Sequence, residues 1–164
     1  MTKIINPRAK ELKVAYIGGG SRGWAWGFMA DLAMDAEICG KVRLYDIDRS
    51  AAERNKIIGD KISAHPDTAS RWEYEVSDSL KDALTGADFV VISILPATFE
   101  EMRSDVHLPE RLGIWQPVGD TVGAGGFMRA MRTIPMYVKT LKRVSYSRDI
   151  WKVPMFQRQT RWLT

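Results

Sequence analysis

Gly18-Gly19-Gly20-Ser21-Arg22-Gly23 follows directly on the apolar run Val14-Ala15-Tyr16-Ile17. A Gly-x-Gly-x-x-Gly spacing that ends a strand and opens a helix lets backbone approach a pyrophosphate where side chains would intervene. The helix's unpaired N–H groups then face the charge. Gly18, Gly20, Ser21 and Gly23 are accordingly the candidate phosphate-holding positions. About 20 residues downstream, where a ribose hydroxyl pair would need an acceptor, stands Asp46 in Leu44-Tyr45-Asp46-Ile47-Asp48. The chemistry these types imply is the seating of a dinucleotide. Other reactive side chains have blander readings. Cys39 is the single cysteine, which excludes an internal disulfide and reads as a half-buried thiol. His65 precedes Pro66 and reads as a turn residue, while His107 and Glu110 lack further ligands at metal spacing and read as surface groups. Ser93, inside an apolar run with no histidine nearby, reads as a core hydroxyl.

A turn of this kind works only if strands and helices hold it, and residues 13–95 alternate between the two patterns. A helix is expected from about Ser21 to Met34, with Trp24, Phe28 and Leu32 on the face that packs on a sheet. A strand over Lys41–Asp46 leads to a helix from about Ser50 to Ser63 with Ile58 and Ile62 four apart. A third strand follows near Trp72–Val76. Ser77-Asp78 then caps a brief helix carrying Leu80, Ala83 and Leu84, which Gly86 closes in a left-handed conformation. The run Phe89-Val90-Val91-Ile92-Ser93-Ile94-Leu95 is apolar on both faces, as a central parallel strand is. The expected fold is α/β, a Rossmann-like doubly wound parallel sheet, whose ligand lies beyond the carboxyl ends of the strands. Beyond it, a helical stretch from about Ala97 to Leu112 and a glycine-rich loop over Gly113–Gly126 precede a second amphipathic helix. There Phe127, Met131, Ile134, Val138 and Leu141 form a core stripe that Pro135 should kink.

Composition excludes some partners. The 164 residues are 45% hydrophobic and 27% charged, as expected of a globular protein with a real core. No apolar stretch approaches a membrane span, and Met1–Arg8 lacks a signal-peptide hydrophobic region, so a cytoplasmic location is expected. Most of the net charge of +4 comes from Arg148, Lys152, Arg158 and Arg161 near the end. A nearly neutral body with a short basic end does not provide the continuous positive surface that nucleic acid needs.

Beyond the glycine turn, two further segments are specific. One is Glu101-Met102-Arg103-Ser104-Asp105-Val106-His107-Leu108-Pro109, the other Gly113-Ile114-Trp115-Gln116-Pro117-Val118-Gly119-Asp120-Thr121 with its continuation to Pro135. With Gly18–Ser21 and Asp46-Ile47-Asp48 they resemble glycoside hydrolase family 4 over roughly residues 12–144. The Gln-x-x-x-Asp-Thr loop is similar to that of the α-galactosidase and α-galacturonidase branch. The resemblance implies NAD- and manganese-dependent hydrolysis by oxidation and elimination, in place of the usual carboxylate pair. The cofactor takes hydride from the sugar's C3, a tyrosinate removes the acidified C2 proton, the glycosidic oxygen leaves, water adds and the hydride returns. A manganese ion polarises the C2 and C3 oxygens. By position, the resemblance gives pyrophosphate binding to Gly18, Gly20, Ser21 and Gly23, and the adenosine ribose to Asp46. It gives substrate contact to Arg103, whose fork suits a hydroxyl pair or a carboxylate, and to Asp120 the task of raising the tyrosine's basicity. Both have plainer alternatives, a solvated helix charge for Arg103 and a helix cap for Asp120. The resemblance also implies a sugar substrate and homo-oligomers among full-length relatives.

The chain departs from that pattern after about Val144. The cysteine and histidine that hold the metal and the catalytic tyrosine, expected later in the family, have no counterpart, so no metal ligand is assigned in this chain. Residues 1–144 are expected to form the NAD-binding part, and 145–164 an aberrant basic tail produced by truncation or frameshift. The sheet is then cut short after its nucleotide half, one central strand keeps a bare edge that favours aggregation, and turnover should be negligible. The alternative is a stand-alone dinucleotide-binding module or the first part of a lactate/malate-type dehydrogenase, which opens with the same fold.

Overall fold

In the computed structural model, residues 9–115 and 123–146 are described. Two compact units divide the described residues, one ending at Ile94 and the other running from Leu95 to Val144. The basic tail beyond residue 146 lies outside the described residues.

The first unit is built on four parallel strands, β1 (Ala9–Ile17), β2 (Ile38–Tyr45), β3 (Trp72–Val76) and β4 (Phe89–Ile92), in the order β3-β2-β1-β4. Val14 pairs with Val42 and Phe89, Tyr16 with Leu44 and Val91, and Val42 with Tyr74. Parallel neighbours need crossovers, and α1 (Gly23–Met34), α2 (Arg49–Ser63) and α3 (Leu80–Leu84) supply them. This is the expected Rossmann-like α/β arrangement. Its core is Val14, Tyr16, Met29, Val42, Leu44, Trp72 and Tyr74, closed by Ala25 and Ala52. Met29, Val42 and Leu44 are completely shielded, each contributing about 2 kcal/mol by leaving water.

The large apolar residues pack only in part as expected: Leu32 is buried and Phe28 lies against the core, but Trp24 does not. On α1 the buried residues are Ala25, Met29, Leu32 and Ala33; Phe28 is half-buried against Tyr16, and Trp24 is 80% exposed. On α2 they are Ala52, Asn55, Gly59 and Ser63, with Ile58 only half-buried and Ile62 half-buried against the core. The cause is close approach, since a Cβ on Gly59 would come within 2.7 Å of the Tyr74 ring. Small residues win wherever helix and sheet nearly touch. Further along, Ser79, not Ser77-Asp78, caps α3 by accepting the Asp82 N–H, while the Ser77 N–H donates to the Leu44 carbonyl and prolongs the sheet. Gly86 follows with φ +64°, the left-handed closure expected of it. β4 is an edge strand of four residues, and among the described residues no strand lies beyond it. Phe89 is exposed and Val90 to Ile92 half-buried, so the expected central strand has a partner on one side only.

The second unit contains α4 (Phe99–His107), a 3-10 turn over Pro109–Leu112, and α5 (Gly123–Tyr146). Thr98 caps α4 in a reciprocal box with Glu101, which draws the Glu101 carboxyl below its usual range through the Thr98 hydroxyl. Asp105 on α4 and Arg132 on α5 form an ion pair. α5 starts at Gly123, earlier than the glycine-rich loop suggested, and stays helical through Pro135. Its apolar stripe departs from expectation. Phe127, Met131, Ile134, Val138 and Leu141 are all exposed, from 66% at Phe127 to 38% at Leu141. Among the described residues nothing covers the face that was read as core.

Candidate functional site

At the carboxyl end of β1 the chain turns at Gly18, whose φ of +94° few residues other than glycine adopt. Its N–H and that of Gly19 both donate to the Tyr45 carbonyl, at 2.8 and 2.9 Å, tying the turn to the end of β2. The Gly20 N–H donates to Asp46 Oδ2 at 2.8 Å, and the Ser21 N–H to the Gly18 carbonyl at 3.0 Å. Asp46 also accepts the Asp48 N–H through Oδ1 at 3.0 Å. Asp48 then caps α2, where the Ser50 hydroxyl and the Ala51 N–H hold its carboxyl below the usual range.

The backbone donors of residues 18–21 are thus spent inside the protein. Those left for an anion open α1, which is entered at Arg22 with no side-chain cap and has no acidic residue in its first turn. The glycines divide accordingly. A Cβ on Gly18 would run into the Ser93 carbonyl, one on Gly19 would meet Leu44 Cβ at 2.8 Å, and one on Gly20 would meet Ala51 Cβ at 2.6 Å. Those three are demanded by the fold itself. A Cβ on Gly23 would meet nothing within 4 Å, so packing does not explain that glycine; it leaves open space before the helix N-terminus.

Gly18, Gly20, Ser21, Gly23 and Asp46 therefore come together at the sheet's carboxyl edge. Arg103 lies on α4 of the second unit, exposed, beside Ser104 and His107 in an open groove. Asp120 falls outside the described residues. His107 Nδ1 and Glu110 Oε2 are 3.0 Å apart at the surface, and among the described residues no three His, Cys, Asp or Glu side chains could share a metal ion. Ser93 is half-buried and ties the turn's far side, donating its N–H to the Ile17 carbonyl at 2.8 Å. Cys39 is half-buried, and no described helix is long and apolar enough to cross a membrane.

One member of the site escaped the motif. Asn55, only 3% exposed on α2, donates through Nδ2 to the carbonyls of Gly19 and Ser21 at 2.7 and 2.9 Å. Its Oδ1 accepts the Trp26 indole N–H at 2.8 Å. The available signal was an asparagine spaced with Ala52 and Gly59 on the face of α2 that turns to the sheet.

Comparison with known proteins agrees with this fold. The chain is 57% identical over 152 residues to an alpha-galacturonidase of Lachnoclostridium phytofermentans, covering 92% of this chain and 33% of that relative. It spans about a third of the length of the curated relatives it matches. Among solved structures, the Bacillus subtilis protein lplD, described as a glucosidase, superposes with a TM-score of 0.76 at 47% identity over 83% of this chain and 30% of that one. A 6-phospho-alpha-glucosidase from gut microorganisms, solved with NAD and glucose-6-phosphate, gives a TM-score of 0.68 at 26% identity, covering 82% of this chain and 30% of that one. The family 4 glycosyl hydrolase profile matches residues 13–155, past the point near Val144 where the resemblance was expected to end. With most of its length inside that match, the chain belongs to family 4 of the glycosyl hydrolases.

Proposed function

We propose that this chain is the NAD-seating part of a glycosidase acting on an α-galacturonide or a related α-galactoside. The observation that carries the proposal is the division of donors at the glycine turn. Residues 18–21 use theirs internally, while the uncapped start of α1 faces the space that Gly23 leaves open. A pyrophosphate would sit there on the N–H groups of the first helical turn, with Gly18, Gly20 and Ser21 setting the turn's path. Asp46 would take the adenosine ribose with the lone pairs left after binding the Gly20 and Asp48 N–H groups. NAD, once bound, would supply a reversible hydride acceptor.

Arg103 is the proposed contact for the sugar, its exposed fork suiting a uronate carboxylate. Asp120 is proposed to raise the basicity of a tyrosine that this chain does not carry. Manganese belongs in this reading to the full-length relatives: the described residues offer it no ligand set, and no step is assigned to it here. The same reading expects oligomers of those relatives, a cytoplasmic location and negligible turnover by these 164 residues alone.

Calorimetric titration with NAD⁺ tests the seat. Saturable binding is expected, and its absence would remove the proposal. Gly23→Ala sharpens it: alanine should leave the helix as stable or more so by about 0.5 kcal/mol, yet weaken NAD⁺ by about tenfold because the methyl fills the open space.

A further inference from the structure

Asn55 is a buried polar side chain whose every hydrogen bond goes to the glycine turn or to α1. A buried amide is costly unless satisfied, and this one satisfies both of its N–H donors and its oxygen. The assignment of oxygen and nitrogen is fixed by chemistry, since only the amide nitrogen can donate to two carbonyls and only its oxygen can accept an indole N–H.

We infer that Asn55, held by Trp26, is the positioning residue that aims the phosphate-binding N–H of Arg22, an inference that rests on the NAD-seating reading above. The argument starts from the planar trans peptide, in which C=O and N–H point in opposite directions. No cis peptide occurs among the described residues. Asn55 draws the Ser21 carbonyl toward α2 at 2.9 Å, so the N–H on the other side of that peptide, that of Arg22, is turned away from α2. The Gly19 carbonyl is drawn in likewise at 2.7 Å, which turns the Gly20 N–H away to meet Asp46. One side chain thereby sets the direction of two peptides that flank the turn. The second support comes from α1 itself: the Trp26 indole N–H holds Asn55 Oδ1 at 2.8 Å, so the amide cannot rotate to present its oxygen to the carbonyls without losing that bond. Trp26 itself is 41% exposed. The latch Trp26–Asn55–Ser21 joins the helix that offers the donors to the peptide that aims the first of them. In a helix whose N-cap, Arg22, makes no side-chain cap bond, such aiming matters. A pre-aimed donor spares the ligand the ordering of the turn.

The discriminating measurement compares ligands with and without phosphate. Wild type, Asn55→Ala and Trp26→Phe are titrated with NAD⁺, ADP and adenosine, each variant's fold being checked by circular dichroism and thermal melting. Asn55→Ala should weaken NAD⁺ and ADP by about tenfold and adenosine by less than about twofold. Trp26→Phe, which keeps an aromatic ring at a partly exposed position, should weaken NAD⁺ and ADP by about threefold with adenosine unchanged. A merely structural asparagine would weaken all three ligands together or none, and either pattern overturns the inference. If Asn55→Ala does not fold, Trp26→Phe decides alone, and phosphate ligands binding it as tightly as wild type would overturn the inference. Failure of wild type to bind NAD⁺ and ADP would instead sink the underlying NAD reading.

Discussion

The two compact units of this chain handle the same kinds of residue in opposite ways. In the unit ending at Ile94, small residues bring helices close to the sheet, and the turn at Gly18–Ser21 spends all its backbone donors internally. In the unit from Leu95 to Val144, a long helix turns five large apolar residues to the outside. The first unit buries its core on its own residues except along the β4 edge, whereas the second shows a face that its own described residues leave bare. Apolar periodicity alone therefore says that a helix has a sticky side; whether this stretch of chain also contains the cover is a separate question. The chain spans about a third of the relatives' length.

The sharpest way to break that contrast is at Gly18. Gly18→Ala should abolish cooperative folding of the sheet unit or destabilise it by about 3 kcal/mol or more, through the collision with the Ser93 carbonyl and the φ of +94°. Urea unfolding followed by circular dichroism measures this, and a loss under about 1 kcal/mol would show the turn to be far looser than described. A pair of truncations comes next. Leu44→Ala, at a fully shielded position, should cost about 3 kcal/mol, and Ile134→Ala, at a position 58% exposed, less than about 0.5 kcal/mol. Equal losses in the same assay would mean that the α5 face is covered after all.

The smallest expected effect is on the pH dependence, and it belongs to the sheet unit. Burial pushes the Glu75 carboxyl up, but hydrogen bonds from Arg43, at 2.7 Å, and Lys41 outweigh it and hold the group below its usual value of 4.5. A depressed carboxylate stabilises the fold above its unfolded pKa, so this contribution should fade as pH falls below about 4.5. Tyr74 works at the other end: burial, with the nearby Asp60 charge, raises its hydroxyl from 10.0 to about 12. Its contribution is complete below pH 10 and disappears as pH rises toward about 12. Melting temperatures across the pH range should show both limbs. Tyr74→Phe should remove the alkaline one, and a limb unchanged by that substitution would assign it elsewhere.

Much of the first unit was legible in the sequence because its signals are local. A strand running into Gly-x-Gly-x-x-Gly, a carboxylate at Asp46, the β3 limits at Trp72–Val76 and the left-handed Gly86 each depend on backbone geometry within a few residues. The glycosidase reading also prevailed over the dehydrogenase one, because the family match extends over residues 13–155. What escaped is decided across space. Ala25 and Gly59 are buried where Trp24 and Ile58 looked the better candidates, because the sheet comes too near for large side chains. Asn55 escaped for a related reason, since nothing in its neighbourhood along the chain reveals that two carbonyls of the glycine turn end beside it. The bare edge at β4 was legible by counting strands, whereas the exposure of Phe89 was not, because apolarity on both faces reports what a strand could bury, which differs from what is present to bury it.

The pairing of β1 with β4 also bears on when this protein can fold as it is made. Lys13 and Asp88, 75 positions apart, meet through the Lys13 N–H, and the Ile17 carbonyl waits for the N–H of Ser93. Of the four described strands, the one made earliest is thus among the last to be completed on both sides, and contacts of such long range are slow to form. Until residue 93 has emerged, the nascent glycine turn lacks the peptide against which Gly18 is fitted.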